Sequence, residues 1–515
     1  MSLDLLVLLA LAVVIIVAAT LRREFLGDGV RHLPAILSSR IQPGEPRWLL
    51  FPALANLWVR LMSAIGLVAG VESALRALVV LSVVSGIVFL VSIRAWLRAE
   101  CNDDARRAAA LLLAGSCAPF LLLFSDVAEP QVAAGIAAAG LACARVWRDD
   151  VRRAPAAALV AVATIAIASL MYQGIMLAFG MLPLVVSAKT TSVRRVAVAS
   201  GVAVLLVMTT MVAAQVATGT PAAAAATTVV RGERNPLTRS LMADRSPWKY
   251  LAATLAGPPQ GIVTLRNYSG LRTMVSSLRS SDAGVAATGI GNVARLFLGC
   301  AIAAVLLRGG VRDRQWRVLA AAAVLLALPV IRNQQYAYVK FHILWPIPVA
   351  LLAMRCRART IWIAAAIALA VNGYLLSEEV RRGRDHASFA RAAYATATPA
   401  TCWVTSGWAP PFTYLWPGTT ATMLGTLATG IHPADQGATL TTALQRCFCD
   451  STSVWTDGTA RDAEIVRSLA THFEYTSIDL ASLLIDPNEA NSTPMPGVLV
   501  YSDAARQRAC RATAQ

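Results

Sequence analysis

The chain has 515 residues, of which 57% are apolar and 15% are charged, and its mean hydropathy is +0.58. These values exclude an intrinsically disordered chain, a small disulfide-stabilised protein and an ordinary soluble enzyme, and they indicate a polytopic membrane protein. The formal net charge is +17. From Thr401 onward there are 6 basic and 10 acidic residues, whereas the preceding residues hold 40 and 19, so the positive excess belongs to the apolar part. We therefore expect membrane lipids, and no nucleic acid, as partners.

In chain order, eleven apolar segments approach the length of about 20 residues that a membrane-spanning helix requires. The stretch Leu49–Gly70 is a further candidate, but it contains Asn56, Arg60 and two tryptophans and is more typical of a helix lying at the membrane interface. The sequence thus predicts a polytopic α-helical membrane protein with about 11 transmembrane helices. The predicted spans are 3–20, 71–93, 108–124, 131–147, 156–172, 174–188, 196–216, 291–307, 318–331, 341–354 and 360–376.

The distribution of arginine predicts the orientation of these spans. With the N-terminus inside, every short inside loop is basic, whereas the short outside loops at 125–130 and 172–173 contain neither lysine nor arginine. This topology places the outer loops 21–70 and 217–290, the loop 332–340 and the C-terminal tail outside the cytoplasm. The abundance of alanine and valine and the scarcity of lysine are typical of a GC-rich bacterial genome, so we expect the bacterial cytoplasmic (inner) membrane. The basic inside loops are 94–107, 145–153, 189–195, 308–317 and 355–359.

The composition divides the chain into a membrane domain, residues 1–384, and an extracytoplasmic soluble α/β domain, residues 385–515. The first apolar segment lacks a basic region before it and is long, so we interpret it as an anchor rather than a signal peptide. In the tail, apolar runs shorten to strand length at Cys402–Thr405 and Gly497–Tyr501, and helical periodicity occurs at Asp462–His472. One or two disulfides and buried free thiols both fit its four cysteines. These are Cys402, Cys447, Cys449 and Cys510.

Four polar clusters lie at helix ends that the predicted topology places on the outer face, at 27–32, 44–48, 125–130 and 332–342. Carboxylates at such a rim can accept a proton from a nucleophile or hold a metal ion, and arginines can bind a phosphate bidentately. Each cluster also has a structural explanation. Asp28 between two glycines is typical of a turn, and Asp126 and Glu129 can cap the next helix. Arg332 and Lys340 can contact lipid phosphates. Their occurrence together on one face favours a site.

Two of these clusters resemble motifs of the GT-C superfamily of integral-membrane glycosyltransferases, which use a sugar attached to a polyprenyl phosphate. They are Leu26-Gly27-Asp28-Gly29, soon after the first span, and Ser125-Asp126-Val127-Ala128-Glu129-Pro130, after the third. The layout of residues 1–376, with a long outer loop midway and a soluble domain after it, is also similar to that family. The first loop lacks the Asp-Glu doublet of several branches, so Asp28 and Glu45 are both candidates for the base.

The resemblance implies an inverting transfer of a sugar from a polyprenyl-phosphate donor to a glycan, lipid or protein acceptor at the outer face of the membrane. Asp28 is the candidate base, and Glu45 and Asp126 are the other candidate catalytic carboxylates. Asp126 and Glu129 are candidates for positioning the acceptor or a divalent cation, and no other cofactor is expected. The candidate donor-phosphate ligands are Arg332, Lys340 and His342. The remaining candidate substrate-binding residues are Arg31, His32, Arg47, Tyr172, Gln335 and Tyr338.

Two other classes of function fit part of the sequence. A lipid or polysaccharide transporter or flippase would also use outer arginines and an apolar groove, but it would need polar residues deep in the spans and an inner gate. A non-catalytic cell-envelope assembly protein would use the tail, with the membrane part as an anchor. Eleven spans exceed what an anchor requires.

Overall fold

The structure is a computed structural model of the whole chain. It describes the residues 2–22, 36–37, 49–69, 71–126, 129–217, 221–231, 259–264, 274–275, 278–279, 281, 283–333, 343–396, 401–405, 420–423, 453–456, 475–478 and 498–501. The chain separates into two compact units. The first holds the helices up to Glu378, and the second holds a five-stranded sheet.

The first unit is helical throughout its described part. Between α7 and α8 a 3₁₀ helix covers Gln173–Met181. The last helix, α14, continues past the predicted domain boundary at 384/385. The helices are α1 Leu3–Leu21, α2 Phe51–Ala64, α3 Val71–Glu100, α4 Asp104–Ser116, α5 Ala118–Leu123, α6 Glu129–Val146, α7 Ala154–Met171, α8 Leu182–Val185, α9 Val193–Ala217, α10 Ala222–Arg231, α11 Ala283–Arg312, α12 Trp316–Asn333, α13 Pro346–Ala353 and α14 Ala358–Thr396.

Six helices in the described part are long and apolar enough to cross a membrane. The shortest of them has 18 residues, which corresponds to about 27 Å and matches the hydrocarbon thickness of a bilayer. The chain therefore has the helices of a multi-pass membrane protein, and the number of about 11 spans stays a prediction. The six are Leu3–Leu21, Ser73–Glu100, Ala154–Met171, Val193–Ala217, Ala286–Arg312 and Ala358–Glu378; shorter apolar helices are Pro130–Val146, Gln173–Val185 and Trp316–Leu325.

Three predicted spans are not single long α-helices. The span 108–124 is interrupted at Cys117, whose backbone is extended, because Pro119 in the next turn has no N–H to continue the helical ladder. The span 174–188 consists of the 3₁₀ helix and the four-residue α8. In 341–354 the described helix is α13, whose eight residues rise only about 12 Å.

One end of the bundle is held by a group that we call the Asp4 cluster, comprising Asp4, Arg94, Arg98, Arg107 and Asp104. The carboxylate of Asp4 is fully buried, and the Nε atoms of Arg94, Arg98 and Arg107 lie 3.2, 2.9 and 3.5 Å from its Oδ2. Asp104 accepts a hydrogen bond of 2.7 Å from the first backbone N–H of α1. Most of the predicted inside loop 94–107 is helical, because α3 continues to Glu100 and α4 begins at Asp104. The arginines of this segment connect α3 and α4 to α1 through Asp4.

Small residues allow α3, α6 and α7 to pack closely. A Cβ added at Gly135 on α6 would lie 2.8 Å from the backbone oxygen of Ser85 on α3, and one at Gly140 would clash with Thr164 on α7. Because lipid chains are as apolar as the side chains, helices in a membrane associate through such close van der Waals contact.

The predicted outer loop 217–290 is partly packed inside the first unit. All residues of the segment 259–264 are buried. Asn372 on α14 donates hydrogen bonds of 2.7 Å to the carbonyls of Ser116 and Ile262 and accepts one of 3.2 Å from the N–H of Thr264. The break after Ser116 leaves that carbonyl without its usual helical partner, and Asn372 satisfies it. Non-helical backbone inside a membrane protein requires such internal partners.

The second unit contains the strands β1 Thr401–Thr405, β2 Thr420–Met423, β3 Ser453–Thr456, β4 Tyr475–Ile478 and β5 Val498–Tyr501. The sheet order is β2-β1-β3-β5-β4. β1 is parallel to β2 and β3, whereas β5 is antiparallel to β3 and β4. The two predicted strands coincide with β1 and β5. The predicted helix Asp462–His472 and the cysteines at 447, 449 and 510 lie outside the described residues, so the disulfides and the soluble α/β domain stay predictions.

Candidate active site

The candidate site begins at a buried ion pair between the first and third predicted spans. The Nη1 of Arg22, the C-cap of α1, lies 3.2 Å from the Oδ2 of Asp126, and the two side chains are 2% and 5% exposed. The Nη2 of Arg22 also donates hydrogen bonds of 3.3 Å to the carbonyl of Leu122 and to the hydroxyl of Ser125. The guanidinium thus joins the end of α1 to the turn after α5 at several atoms.

Three buried aromatic rings fix the position of that turn. The ring centroids of Phe120 and Phe124 are 4.9 Å apart, and Phe89 on α3 lies 6.1 and 5.5 Å from them. The short distance between α3 and Phe124 requires Gly86, where an added Cβ would lie 2.8 Å from the Phe124 ring. Because large buried rings tolerate little displacement, Asp126 is held two residues beyond a rigid anchor.

A second arginine, Arg76 near the start of α3, lies at the same end. Its Nη1 donates hydrogen bonds of 2.8 Å to the carbonyl of Arg22 and 3.4 Å to that of Ala19. The last carbonyls of a helix have no partner within it and carry its negative dipole end, so a cation there stabilises the end of α1. We call Arg22, Arg76 and Asp126, which lie together at this end of the bundle, the Asp126 cluster.

The first loop returns to the bundle beside α7. The N–H of Leu50 donates to the carbonyl of Leu170 at 3.0 Å, two residues before Tyr172. Tyr172 is 6% exposed and ends α7 in an extended conformation. The side chain of the next residue, Gln173, donates 3.1 Å to the carbonyl of Val229 on α10. The hydrogen bond of Leu50 therefore connects the end of the first loop to α7, and that of Gln173 connects the segment after α7 to α10.

This arrangement can hold an acidic segment rigidly beside a positive charge. A carboxylate paired at 3.2 Å with a buried guanidinium is held in a fixed position, which suits a role in orienting a substrate. Within the part of the chain that the structure describes, no three His, Cys, Asp or Glu side chains converge as a metal site would require. Asp126 and Glu129 as ligands of a divalent cation therefore stay a prediction.

Four of the thirteen predicted site residues lie in the described part. Asp126 is in the buried ion pair, and Tyr172 is buried at the end of α7. Glu129 begins α6, and Arg332 is in the last turn of α12. The other nine lie outside the described residues. They are Asp28, Arg31, His32, Glu45, Arg47, Gln335, Tyr338, Lys340 and His342.

Sequence reasoning missed Arg76 and treated Arg22 as one of several loop arginines. Arg76 is the one charged residue of the segment 73–93 of α3, and an arginine inside a membrane segment is rare enough to indicate a specific partner. That signal is present in the sequence. The pairing of Arg22 with Asp126 is not, because 104 residues separate them.

No protein-family model and no curated protein matches the chain. Among solved structures, ArnT from Cupriavidus metallidurans bound to undecaprenyl phosphate aligns over 97% of this chain and 98% of its own, with 12% identity and a TM-score of 0.43. The apo state of the same protein aligns over 98% of each chain, with 15% identity and a TM-score of 0.43. The archaeal oligosaccharyltransferase AglB from Archaeoglobus fulgidus, in complex with an inhibitory peptide and a dolichol-phosphate, covers 92% of this chain and 72% of its own, with 13% identity and a TM-score of 0.45. The comparisons assign no family to the chain.

Proposed function

We propose that the protein is a membrane glycosyltransferase of the GT-C type, which moves a sugar from a polyprenyl-phosphate donor to a glycan, lipid or protein acceptor at the outer face of the cytoplasmic membrane. The observation that carries the proposal is the buried pair of Arg22 and Asp126. It attaches the start of the first loop, which contains Asp28, directly to the second acidic motif at 125–130. Arg22 precedes the first motif, at 26–29, by four residues, and this closeness in the chain supports a site shared by the two motifs.

Chain geometry limits how far the candidate base can lie from this place. Asp28 follows Arg22 by six residues, so its Cα lies within about 21 Å of that of Arg22. Glu45 precedes Leu50 by five residues, which keeps it within about 18 Å of the backbone beside Leu170. Both distances allow the candidate bases to reach the end of the bundle that carries the Asp126 cluster.

The chemistry requires three kinds of group. An acceptor hydroxyl is a weak nucleophile, and a carboxylate that removes its proton accelerates the attack on the sugar; we assign this role to Asp28. The departing lipid phosphate keeps its negative charge, which Arg332, Lys340 and His342 would stabilise. The third group orients the acceptor, and we assign this role to Asp126.

The test is sugar transfer in membranes from radiolabelled polyprenyl-phosphate sugars. We expect Asp28→Asn to lower the rate by ~10²–10⁴-fold, because the amide keeps the shape of the side chain but cannot accept the proton. Arg332→Ala should weaken donor binding instead, through the loss of a charge-assisted hydrogen bond to phosphate. Expression and thermal stability of both variants should equal those of the wild type.

An active Asp28→Asn variant would transfer the assignment of the base to Glu45 or Asp126. Absence of transfer by the wild-type protein from every polyprenyl-phosphate donor offered would refute the proposed function itself. The matched control is Asp149→Ala, since that exposed carboxylate lies at the opposite end of the bundle and should leave transfer unchanged.

A further inference from the structure

A groove runs along the surface between α3 and α6, on the half of these helices nearer the Asp4 cluster. The helices touch closely at Ser85 and Gly135, and they are tied again at their ends by Arg145, whose Nε lies 2.6 Å from the Oε1 of Glu100. Between these two contacts, short side chains leave a groove of about 390 Å³, within the range of about 300–1,000 Å³ typical of small-ligand sites. It is lined by Ile87, Val88, Val91, Ser92, Ala95, Ala139, Ala142, Cys143, Val146 and Trp147.

The groove is open to the surroundings of the bundle. Val88, Val91 and Val146 on its walls are 38, 46 and 47% exposed, and their helices are strongly apolar. From Ile87 to Ala95 the groove extends about 12 Å along the axis of α3, close to the roughly 15 Å depth of one leaflet. The groove therefore has the length and the apolar lining to accept part of one acyl chain.

The end of the groove nearer the Asp4 cluster is marked by an aromatic ring and a cation. Trp147 lines the groove, and the guanidinium carbon of Arg153 lies 4.0 Å from the centre of its ring. The side chain of Arg153 is 61% exposed, and its Nε lies 3.7 Å from the Oδ2 of Asp150, which makes a long ion pair. Because the guanidinium lies over the ring, N–H groups at its edge can donate hydrogen bonds to a phosphate.

We propose that this groove binds an anionic phospholipid from the adjacent leaflet, with an acyl chain between α3 and α6 and the headgroup phosphate on Arg153. The site lies on the half of α3 and α6 away from the Asp126 cluster, so it is separate from the proposed donor site. Tryptophan and arginine at the level of the headgroups are the usual interfacial anchors of membrane proteins. Binding there would fill the space between the contact of Ser85 with Gly135 and that of Arg145 with Glu100.

The test is retention of lipid by the purified full-length protein, measured by native mass spectrometry. The protein is equilibrated with equal amounts of dioleoyl phosphatidylglycerol and dioleoyl phosphatidylcholine before measurement. We expect the wild type to retain phosphatidylglycerol preferentially, and Arg153→Gln to reduce that preference by roughly fivefold, the effect of one cation at an anionic lipid surface. Arg152→Gln is the matched control, because it removes a charge one residue away without the stacking on Trp147 and should have a smaller effect.

The groove itself is tested by filling it. Ala95→Leu and Ala139→Leu place larger side chains on its half-exposed walls and should reduce retention of both lipids, whereas Ala163→Leu, on an exposed face of α7 outside the groove, should not. Equal retention of the two lipids by the wild type would overturn the proposal. So would an equal effect of Arg152→Gln and Arg153→Gln, or unchanged retention in the filled variants.

Discussion

Replacing one residue of the ion pair between Arg22 and Asp126 should lower the free energy of unfolding far more than replacing both residues together. At 3.2 Å and an effective dielectric constant of about 20, the attraction between the two charges is about 5 kcal/mol. Asp126→Ala removes the carboxylate beside the buried Arg22 guanidinium, which keeps its hydrogen bonds to Leu122 and Ser125. Removing one partner of a buried ion pair typically costs about 3–5 kcal/mol. We therefore expect Asp126→Ala to lower the free energy of unfolding by an amount in that range.

The double substitution Arg22→Met and Asp126→Leu should recover most of the loss, because an apolar pair of similar volume removes the cost of desolvating both charges. The assay is a double-mutant cycle on the free energy of unfolding, measured by denaturant titration in mixed micelles. Asp149→Ala is the control, since the Asp149 carboxylate is 70% exposed and its ion pairs with Arg148 and Arg145, at 3.3 and 3.9 Å, should contribute only about 0–1 kcal/mol. Wild-type stability in Asp126→Ala, or no recovery in the double variant, would refute this account of the pair.

Sugar transfer by the double variant separates structure from chemistry. If the pair only attaches the first loop to the bundle, the folded double variant should retain activity. If Asp126 also orients the acceptor, the double variant should be stable but inactive, and Asp126→Asn should lose activity with a smaller loss of stability. A stable and fully active double variant would remove Asp126 from the proposed site.

Three further outcomes follow from the packing. Asn372→Leu should destabilise the protein by about 2–4 kcal/mol in the same titration, because it leaves the carbonyls of Ser116 and Ile262 buried without a donor. Gly135→Val should destabilise it by roughly 1–3 kcal/mol, since its Cβ would meet the backbone of α3. Burial raises the pKa of the Cys356 thiol, so fewer thiolates form at a given pH; its alkylation in detergent should be slow at pH 7 and accelerate only at higher pH, and rapid alkylation at pH 7 would contradict that environment.

Composition and local pattern were sufficient to predict most of the membrane part. Apolar length depends only on neighbouring residues, and each of the eleven predicted spans contains helix, with α2 in the stretch predicted as interfacial. The strands β1 and β5 also coincide with short apolar runs bounded by turn-forming residues. At 108–124 the hydropathy pattern predicted one continuous helix and was wrong, since the helix is interrupted before Pro119. Proline lacks the backbone N–H that continues the helical hydrogen bonds, and hydropathy values do not record this.

The candidate site shows what residue type and position can indicate. Asp126 was singled out from the sequence because an acid at the end of an apolar span is conspicuous, and Arg76 carried the same kind of signal within α3. Their partners could not be read in this way. Any of the arginines of the first loop could in principle have paired with Asp126, and the sequence contains no preference among them.

Only the tertiary structure determines those partners, because burial and distance depend on which helices are adjacent. Packing of α1 against α3 and α4 brings Arg22 to Asp126 across 104 residues, and packing of α14 brings Asn372 to the carbonyl that the break after Ser116 exposes. The sequence by itself determined that apolar helices form and where their polar ends lie. Folding determined which of those ends meet, since a buried charge or carbonyl is stable only where another part of the chain supplies its partner.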